Sequence, residues 1–265
     1  MTILDNIFAR QVALRIYGFA AVAFGLVGLV WGDFAAVWQP VPKSVPGRTA
    51  LAYAVAAILL LSGLAMQWRR SAAAGALTLT ILYGLGVILL HVPQVLAQPS
   101  VFVTWSGAAE QLALVAGGLL SYAFCKAPPA TAANSARIVR SGRVLFGVCL
   151  ILFALAHLFY LKPTAGLVPA WLPPNQVFWA YATAAGHFLA GIAILSGIAA
   201  RPAAALLTGM FVVFGVLVHA PTLINDPHTH FNWAANAMNF ALIASAWVIA
   251  ASFARRSAGG LGSFE

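Results

Sequence analysis

The chain has 265 residues, of which 62% are hydrophobic and only 7% are charged, with a formal net charge of +9. Because soluble domains carry about 25% charged residues, this composition excludes an ordinary soluble protein. In a soluble protein the positive charge would suggest a nucleic-acid partner. Here the placement of the basic residues explains it as membrane orientation, so we expect no nucleic acid.

Charge-poor runs of membrane-spanning length recur along the chain, for example over residues 49–68 and 144–161. About 20 apolar residues are needed to cross the hydrocarbon core of a bilayer. The runs do not alternate, and an open sheet edge cannot be satisfied in lipid, so strands are excluded. We therefore predict an all-α polytopic membrane protein with eight transmembrane helices, near residues 16–32, 49–68, 71–91, 105–125, 144–161, 176–199, 202–220 and 232–253.

The basic residues are distributed unevenly between the two sides that these helices define. With the N-terminus inside, eleven Lys and Arg residues face the cytoplasm, and only Lys43, Arg48 and Lys162 face the other side. This is the positive-inside pattern of membrane proteins. It predicts a multi-pass protein of the cytoplasmic (inner) membrane with both termini in the cytoplasm.

The first half and the second half match at a single offset of 128 residues. One ungapped offset over such a length predicts a duplication. Each half has four helices, so both enter the membrane in the same direction, as parallel repeats about an axis along the membrane normal. The matched pairs include Arg15 and Arg143, Pro46 and Pro174, Tyr53 and Tyr181, Gly63 and Gly191, Thr80 and Thr208, His91 and His219, Pro93 and Pro221, Pro99 and Pro227, and Trp105 and Trp233.

The domain boundaries follow from this repeat. We predict a first four-helix repeat over residues 1–125, a cytoplasmic linker over 126–142, a second repeat over 143–254 and a flexible cytoplasmic tail over 255–265. The linker is rich in Ala, Pro, Ser and Thr and shows no apolar periodicity.

The stretch from His219 to Trp233 interrupts the apolar sequence with three histidines, an aspartate and two prolines. Asp226, His228 and His230 lie in a short outer loop, where a His-x-His beside a carboxylate offers ligands for zinc or copper. The alternative is that they are merely solvated. His219 precedes a proline by two residues, and proline disfavours helix before it, so its imidazole is expected to cap a helix end.

Two histidines are predicted at one depth inside the membrane. His157 lies fourteen residues after Arg143, and His187 lies fourteen before Arg201. At about 1.5 Å per residue, both sit roughly 21 Å from the cytoplasmic boundary. Such a pair could ligate haem or a transition metal, or hydrogen-bond a quinone carbonyl. The alternative is that each imidazole bonds a neighbouring carbonyl or hydroxyl.

Asparagines line one face of the last helix, either as contacts between helices or as the wall of a pocket. At the positions of His157, His187 and Asn236 the first half has apolar Leu29, Leu59 and Ala108. Polar groups in hydrocarbon are costly unless they are satisfied. We therefore predict a functional pocket in the outer half of the second repeat, lined by His157, His187, His219, Asn236 and Asn239.

The second half combines a helix that carries Arg143 and His157, a Pro/Trp-rich loop at Val168–Pro174 and a stretch from Gly186 to His219. These segments resemble the DoxX-like family of small four-helix membrane proteins. The first half shows a weaker form of the same pattern around residues 61–91, so the resemblance covers nearly the whole chain as two tandem units. It implies a tandem duplication of the four-helix unit. Members of this family are associated with quinone-linked sulfur oxidation and with thiol systems. The resemblance therefore implies a quinone, haem or a transition metal as cofactor, and a partner redox protein beside the lipid bilayer.

No P-loop, HExxH or GxSxG motif is present, and the sequence identifies no reaction. Three hypotheses remain. The protein is a redox-associated membrane subunit, a carrier for a small solute that uses the cleft between the halves, or a scaffold for partner proteins.

Overall fold

The computed structural model describes residues 3–35, 37–126 and 132–253, and within these ranges all regular structure is helical. The predicted all-α fold is confirmed. The eleven α-helices are α1 (Ile3–Trp31), α2 (Arg48–Ala65), α3 (Ala72–Gly86), α4 (Val92–Ala97), α5 (Phe102–Cys125), α6 (Ala132–Phe159), α7 (Leu161–Leu167), α8 (Gln176–Ser196), α9 (Ala200–Phe214), α10 (Ala220–Asn225) and α11 (His230–Ser252).

Eight helical spans in the described ranges are long and apolar enough to cross a membrane, as predicted. Large apolar side chains point outward from them; Leu206 and Leu189, for example, are 76% and 66% exposed. Apolar surface of this extent is typical of contact with lipid. The spans are Phe8–Trp31, Arg48–Ala65, Ala72–Ala97, Phe102–Cys125, Asn134–Phe159, Gln176–Ser196, Ala200–Asn225 and His230–Ser252.

The long helices pack as a closed ring in chain order. Each of α1, α2, α3, α5, α6, α8, α9 and α11 contacts the next, α11 returns to α1, and α5 and α11 also pack against each other across the middle. The two halves therefore meet where α5 packs on α6, where α11 packs on α1 and where α5 packs on α11. We call the end of the bundle that carries residues 98–101 and 226–229 the loop end.

The secondary structure follows the 128-residue offset. The π-helical turns Val87–His91 and Gly215–His219 correspond, as do α4 and α10. The indole Nε1 of Trp105 donates to the Pro99 carbonyl at 3.0 Å, and Trp233 donates to Pro227 at 2.8 Å. This agreement supports a duplication. The arrangement of the halves as parallel repeats about one axis stays a prediction.

The predicted helix ends at His91 and His219 are wrong. In both halves the helix widens into one π-helical turn, in which the N–H of Val92 bonds the Val87 carbonyl, and then continues as α4 or α10. The wider π-helical turn accommodates proline, whose ring would clash with a carbonyl of the preceding turn in a regular α-helix. Neither imidazole caps a helix.

The loops that follow α1 and α6 differ. Among the described residues of 32–47 no helix forms, whereas after α6 the chain forms the short helix α7. The helix α6 begins at Ala132 and so includes residues predicted as linker. Linker residues 127–131 and the predicted tail at 255–265 lie outside the described residues, and the domain boundaries stay a prediction.

Candidate functional site

A cavity of about 280 Å³ lies inside the bundle towards the loop end, and we call it the histidine cavity. It lies between α5, α6, α8, α9 and α11, under the loop that carries Trp38. Much of its wall is apolar or aromatic, a composition typical of small-molecule sites. Its polar lining residues are Ser106, Glu110, His157, Thr164, Thr183, His187, His219 and Asn239.

His157 and His187 meet across the contact of α6 with α8, as their common depth predicted. Their ring centroids are 4.8 Å apart and the rings are tilted by 49°. Nδ1 of His157 donates to the Phe153 carbonyl at 2.8 Å. His187 is only 1% exposed, and its Nδ1 makes no hydrogen bond of normal geometry to the described residues, although the Thr183 carbonyl lies close by. The His157 imidazole is thus held by the backbone. The His187 imidazole keeps a ring nitrogen that makes no hydrogen bond of normal geometry to the described residues.

His219 faces the same cavity from the π-helical turn. Its carbonyl accepts hydrogen bonds from Thr222 Oγ1 at 2.7 Å and from Asn236 Nδ2 at 2.8 Å. Within the described part of the chain its imidazole has no such bond. Asn239 also lines the cavity and donates to the Phe211 carbonyl at 3.3 Å.

The first half completes the cavity with Trp38, Ser106 and Glu110, which the prediction did not include. The indole Nε1 of Trp38 donates to Oε2 of Glu110 on α5. Trp38 is held in turn by stacking on Phe231, with ring centroids 5.6 Å apart, and by His91, whose Nε2 donates to its carbonyl at 3.2 Å. Among the spans in the described ranges, Glu110 is the only carboxylate, and this signal could have identified it.

Asn236 is the predicted pocket residue that does not line the histidine cavity. It lines a larger groove of about 690 Å³ between α1 and α11, which we call the lateral groove. Its amide instead bridges the backbone carbonyls of His219 and Asn232, each at 2.8 Å. Asn232 likewise donates to the carbonyls of Thr222 and Asp226 at 3.2 and 3.0 Å. These two asparagines therefore satisfy backbone groups around Pro221 and hold His219 in place.

The three predicted metal ligands make separate contacts. Asp226 accepts a hydrogen bond from Thr229, His228 lines the lateral groove, and His230 stacks on Trp31 with ring centroids 5.2 Å apart. Within the described ranges, no three His, Cys, Asp or Glu side chains are grouped to hold a metal ion. The metal assignment stays a prediction that this arrangement does not support.

Residues 138–220 match the sequence profile of the DoxX family. Over this stretch the chain is DoxX-like. The resemblance predicted from the second half is thereby confirmed, and with the eight apolar helices it makes the protein an integral membrane protein of DoxX-like character. No curated protein and no solved structure gives a significant match.

The DoxX-like stretch supplies His157, His187 and His219, but it does not supply the whole cavity. Trp38 and Glu110 precede it, and Asn239 follows it. The cavity is therefore lined partly by residues of the DoxX-like stretch and partly by residues from the rest of this chain.

Proposed function

We propose that the protein binds the head group of a single-ring quinone or quinol in the histidine cavity. It would act there as a redox-associated subunit of the cytoplasmic membrane, with both termini in the cytoplasm and a partner redox protein. The proposal is supported by one observation above all, which is that imidazoles, a carboxylate and an amide converge on one aromatic cavity within the membrane spans. Ionisable residues inside a membrane are expensive and mark functional sites.

The size and ligand geometry favour a quinone over haem or a metal. A volume of about 280 Å³ lies at the lower limit of small-molecule pockets, which suits one substituted ring rather than a porphyrin. The rings of His157 and His187 are also in contact with each other, so a porphyrin plane has no room between them. A metal at Asp226, His228 and His230 remains a separate proposal, and it would require His230 to leave Trp31.

A solute path between the halves is the alternative function. Its support is the lateral groove between α1 and α11, where the two halves meet. That groove is lined almost entirely by apolar side chains, including Leu26, Val30 and Phe240. Such a lining suits a lipid chain better than a polar solute.

Binding of decyl-benzoquinone and its quinol to the purified protein in nanodiscs tests the proposal. We expect His157→Leu and His187→Leu each to weaken binding of whichever form binds by about fivefold, since loss of one hydrogen bond costs about 1 kcal/mol and 1.4 kcal/mol is tenfold. Phe188→Leu is the matched control. Phe188 lies next to His187 on α8, is 47% exposed and does not line the cavity.

Two results would overturn the proposal. One is wild-type affinity in both histidine variants, which would make the histidines structural. The other is an absorption spectrum of bound haem in the purified protein that disappears in the same variants.

A further inference from the structure

We propose that the lateral groove is a binding site for a neutral lipid alcohol, whose apolar chain lies along the groove and whose hydroxyl binds Asn236. The groove lies where α1 of one half meets α11 of the other, and α11 separates it from the histidine cavity. The site is therefore distinct from the proposed quinone site, and its ligand enters from the bilayer.

The groove opens to the hydrocarbon of the membrane. Its α1 wall belongs to a membrane-spanning segment and includes Leu26 and Val30, which are 49% and 72% exposed. Its α11 wall continues this apolar surface with Ala237 and Phe240. Because the groove is continuous with the lipid-facing surface of the bundle, an apolar chain can enter it sideways without crossing water. Its volume of about 690 Å³ is within the usual range of ligand pockets.

The lining of the groove carries no fixed charge. Among the described residues that line it there is no Lys, Arg, Asp or Glu, and His228 is the only titratable side chain. His228 lies at the loop end with the indoles of Trp31 and Trp233, and Trp is typical of the membrane–water interface. A phosphate or carboxylate head group would find no Lys or Arg in the groove, which favours a ligand with an uncharged polar end.

Asn236 supplies a hydrogen-bond acceptor inside the groove. Its Nδ2 donates to the carbonyls of His219 and Asn232, each at 2.8 Å, and these two contacts fix the orientation of the amide. Its Oδ1 makes no hydrogen bond to the described residues and is not enclosed. Asn236 lies in the second turn of α11, about 9 Å from its start at about 1.5 Å per residue. A polar atom without a partner at this depth is costly, and a ligand that donates to it removes that cost.

A hydroxyl suits this wall because it both donates and accepts hydrogen bonds. It can donate to Oδ1 of Asn236. The indole Nε1 of Trp31 makes no hydrogen bond to the described residues and remains a donor at the loop end, whereas Nε1 of Trp233 is used by the Pro227 carbonyl at 2.8 Å. An ether or ester oxygen can only accept, so it offers nothing to Oδ1 of Asn236.

The other junction between the halves, where α5 packs on α6, lacks these groups at the matched positions. At the offset of 128, Asn236 corresponds to Ala108 and Trp31 corresponds to Phe159. Ala23, a small residue of the groove wall, corresponds to the larger Ile151. Packing of one half on the other therefore requires neither the acceptor nor the indole, which favours a role for them in binding a ligand.

The experiment uses hexadecanol with a photoreactive diazirine in its chain, and the full-length protein first in native membranes and then purified in nanodiscs. In both preparations we expect light-dependent labelling of the α1 and α11 residues that line the groove. Excess hexadecanol should remove this labelling. Hexadecyl methyl ether should compete about fivefold less well, which corresponds to about 1 kcal/mol for one hydrogen bond.

Three variants separate the groove from the rest of the lipid-facing surface. Ala23→Phe places a phenyl ring in the groove and should reduce labelling by about fivefold or more. Ala205→Phe is the matched control, since Ala205 is exposed on α9 and does not line the groove. In Asn236→Ala the alcohol and the ether should compete equally, because the acceptor is gone.

The wild-type competition decides the matter even if Asn236→Ala fails to fold. Equal competition by the alcohol and the ether would overturn the proposed lipid class. Labelling spread over all lipid-facing spans, and insensitive to excess hexadecanol and to Ala23→Phe, would overturn the site itself. Labelling of the groove only after purification would show that another protein covers it in the membrane, which also overturns the proposal. The histidine cavity takes no part in these measurements, so the proposed function is tested separately.

Discussion

His91 and His219 occupy matched positions, yet their surroundings differ. Each ends a π-helical turn and precedes a proline by two residues. His91 is 1% exposed, and its ring is fastened to the Trp38 carbonyl at 3.2 Å. His219 is only partly buried, and its ring faces the histidine cavity.

The difference arises from what covers each histidine. In the first half the loop at residues 32–47 brings Trp38 against His91. At the offset of 128 the second half has Gly166, which lacks an indole and lies in α7. The same motif therefore has two roles. In the first half, where Trp38 covers it, the histidine holds the loop in place. In the second half, where Gly166 replaces Trp38, the histidine lines the cavity.

The largest expected contrast tests whether the halves run in the same direction. In a variant with Cys125 and Cys149 replaced by Ser, a single Cys is placed at Ser100 or at the matched His228, both exposed at the loop end. We expect a membrane-impermeant thiol reagent, added outside intact cells, to label both sites fully.

A Cys at Ala133 is the control, and it should react only after permeabilisation. Labelling of only one of the two loop-end sites would contradict parallel repeats. Labelling at Ala133 alone would reverse the predicted orientation of the termini.

The next contrast separates the roles of the two histidines. His91→Leu leaves the Trp38 carbonyl without its partner in a buried site, so it should lower the free energy of unfolding by about 1–3 kcal/mol. His219→Leu breaks no side-chain hydrogen bond and should change stability by about 0.5 kcal/mol or less, while weakening quinol binding. Denaturant or thermal unfolding in detergent measures both. Equal losses of stability would show that both histidines are structural.

The smallest effect concerns the loop that covers His91. Burial alone would raise the pKa of Asp33, but hydrogen bonds from Arg48 and from the Phe34 N–H outweigh it and lower that pKa below its ordinary value of 3.8. A carboxylate with a depressed folded-state pKa contributes stability above its unfolded pKa and loses it as the pH falls through the folded value.

Asp33→Asn should therefore reduce the melting temperature slightly at pH 7, and the difference from wild type should shrink below about pH 3.8. The Asp33 side chain is 46% exposed, so solvent screening keeps this effect small. A difference that is the same at both pH values would mean that the ion pair does not hold the loop.

Of the five residues predicted for the pocket, four line the histidine cavity and Asn236 lines the lateral groove. The comparison between halves singled out His157 and His187, because a polar residue at a position that is apolar in the other copy is visible without any structure. It could not place Asn236, since helical periodicity gives a common face but does not say which cavity that face meets. α11 separates two cavities, and different faces of the same helical turns line them.

By itself the sequence determined the all-helical membrane fold, the eight spans and the DoxX-like character of the second half, because apolar length and local spacing decide these features. Only the tertiary structure decided that Trp38 and Glu110 join the histidines. Residue 38 lies in a loop of one half and His187 in a helix of the other. Contacts between such distant residues depend on how the ring of helices closes, and that closure is set by side-chain packing over the whole bundle rather than by any local pattern.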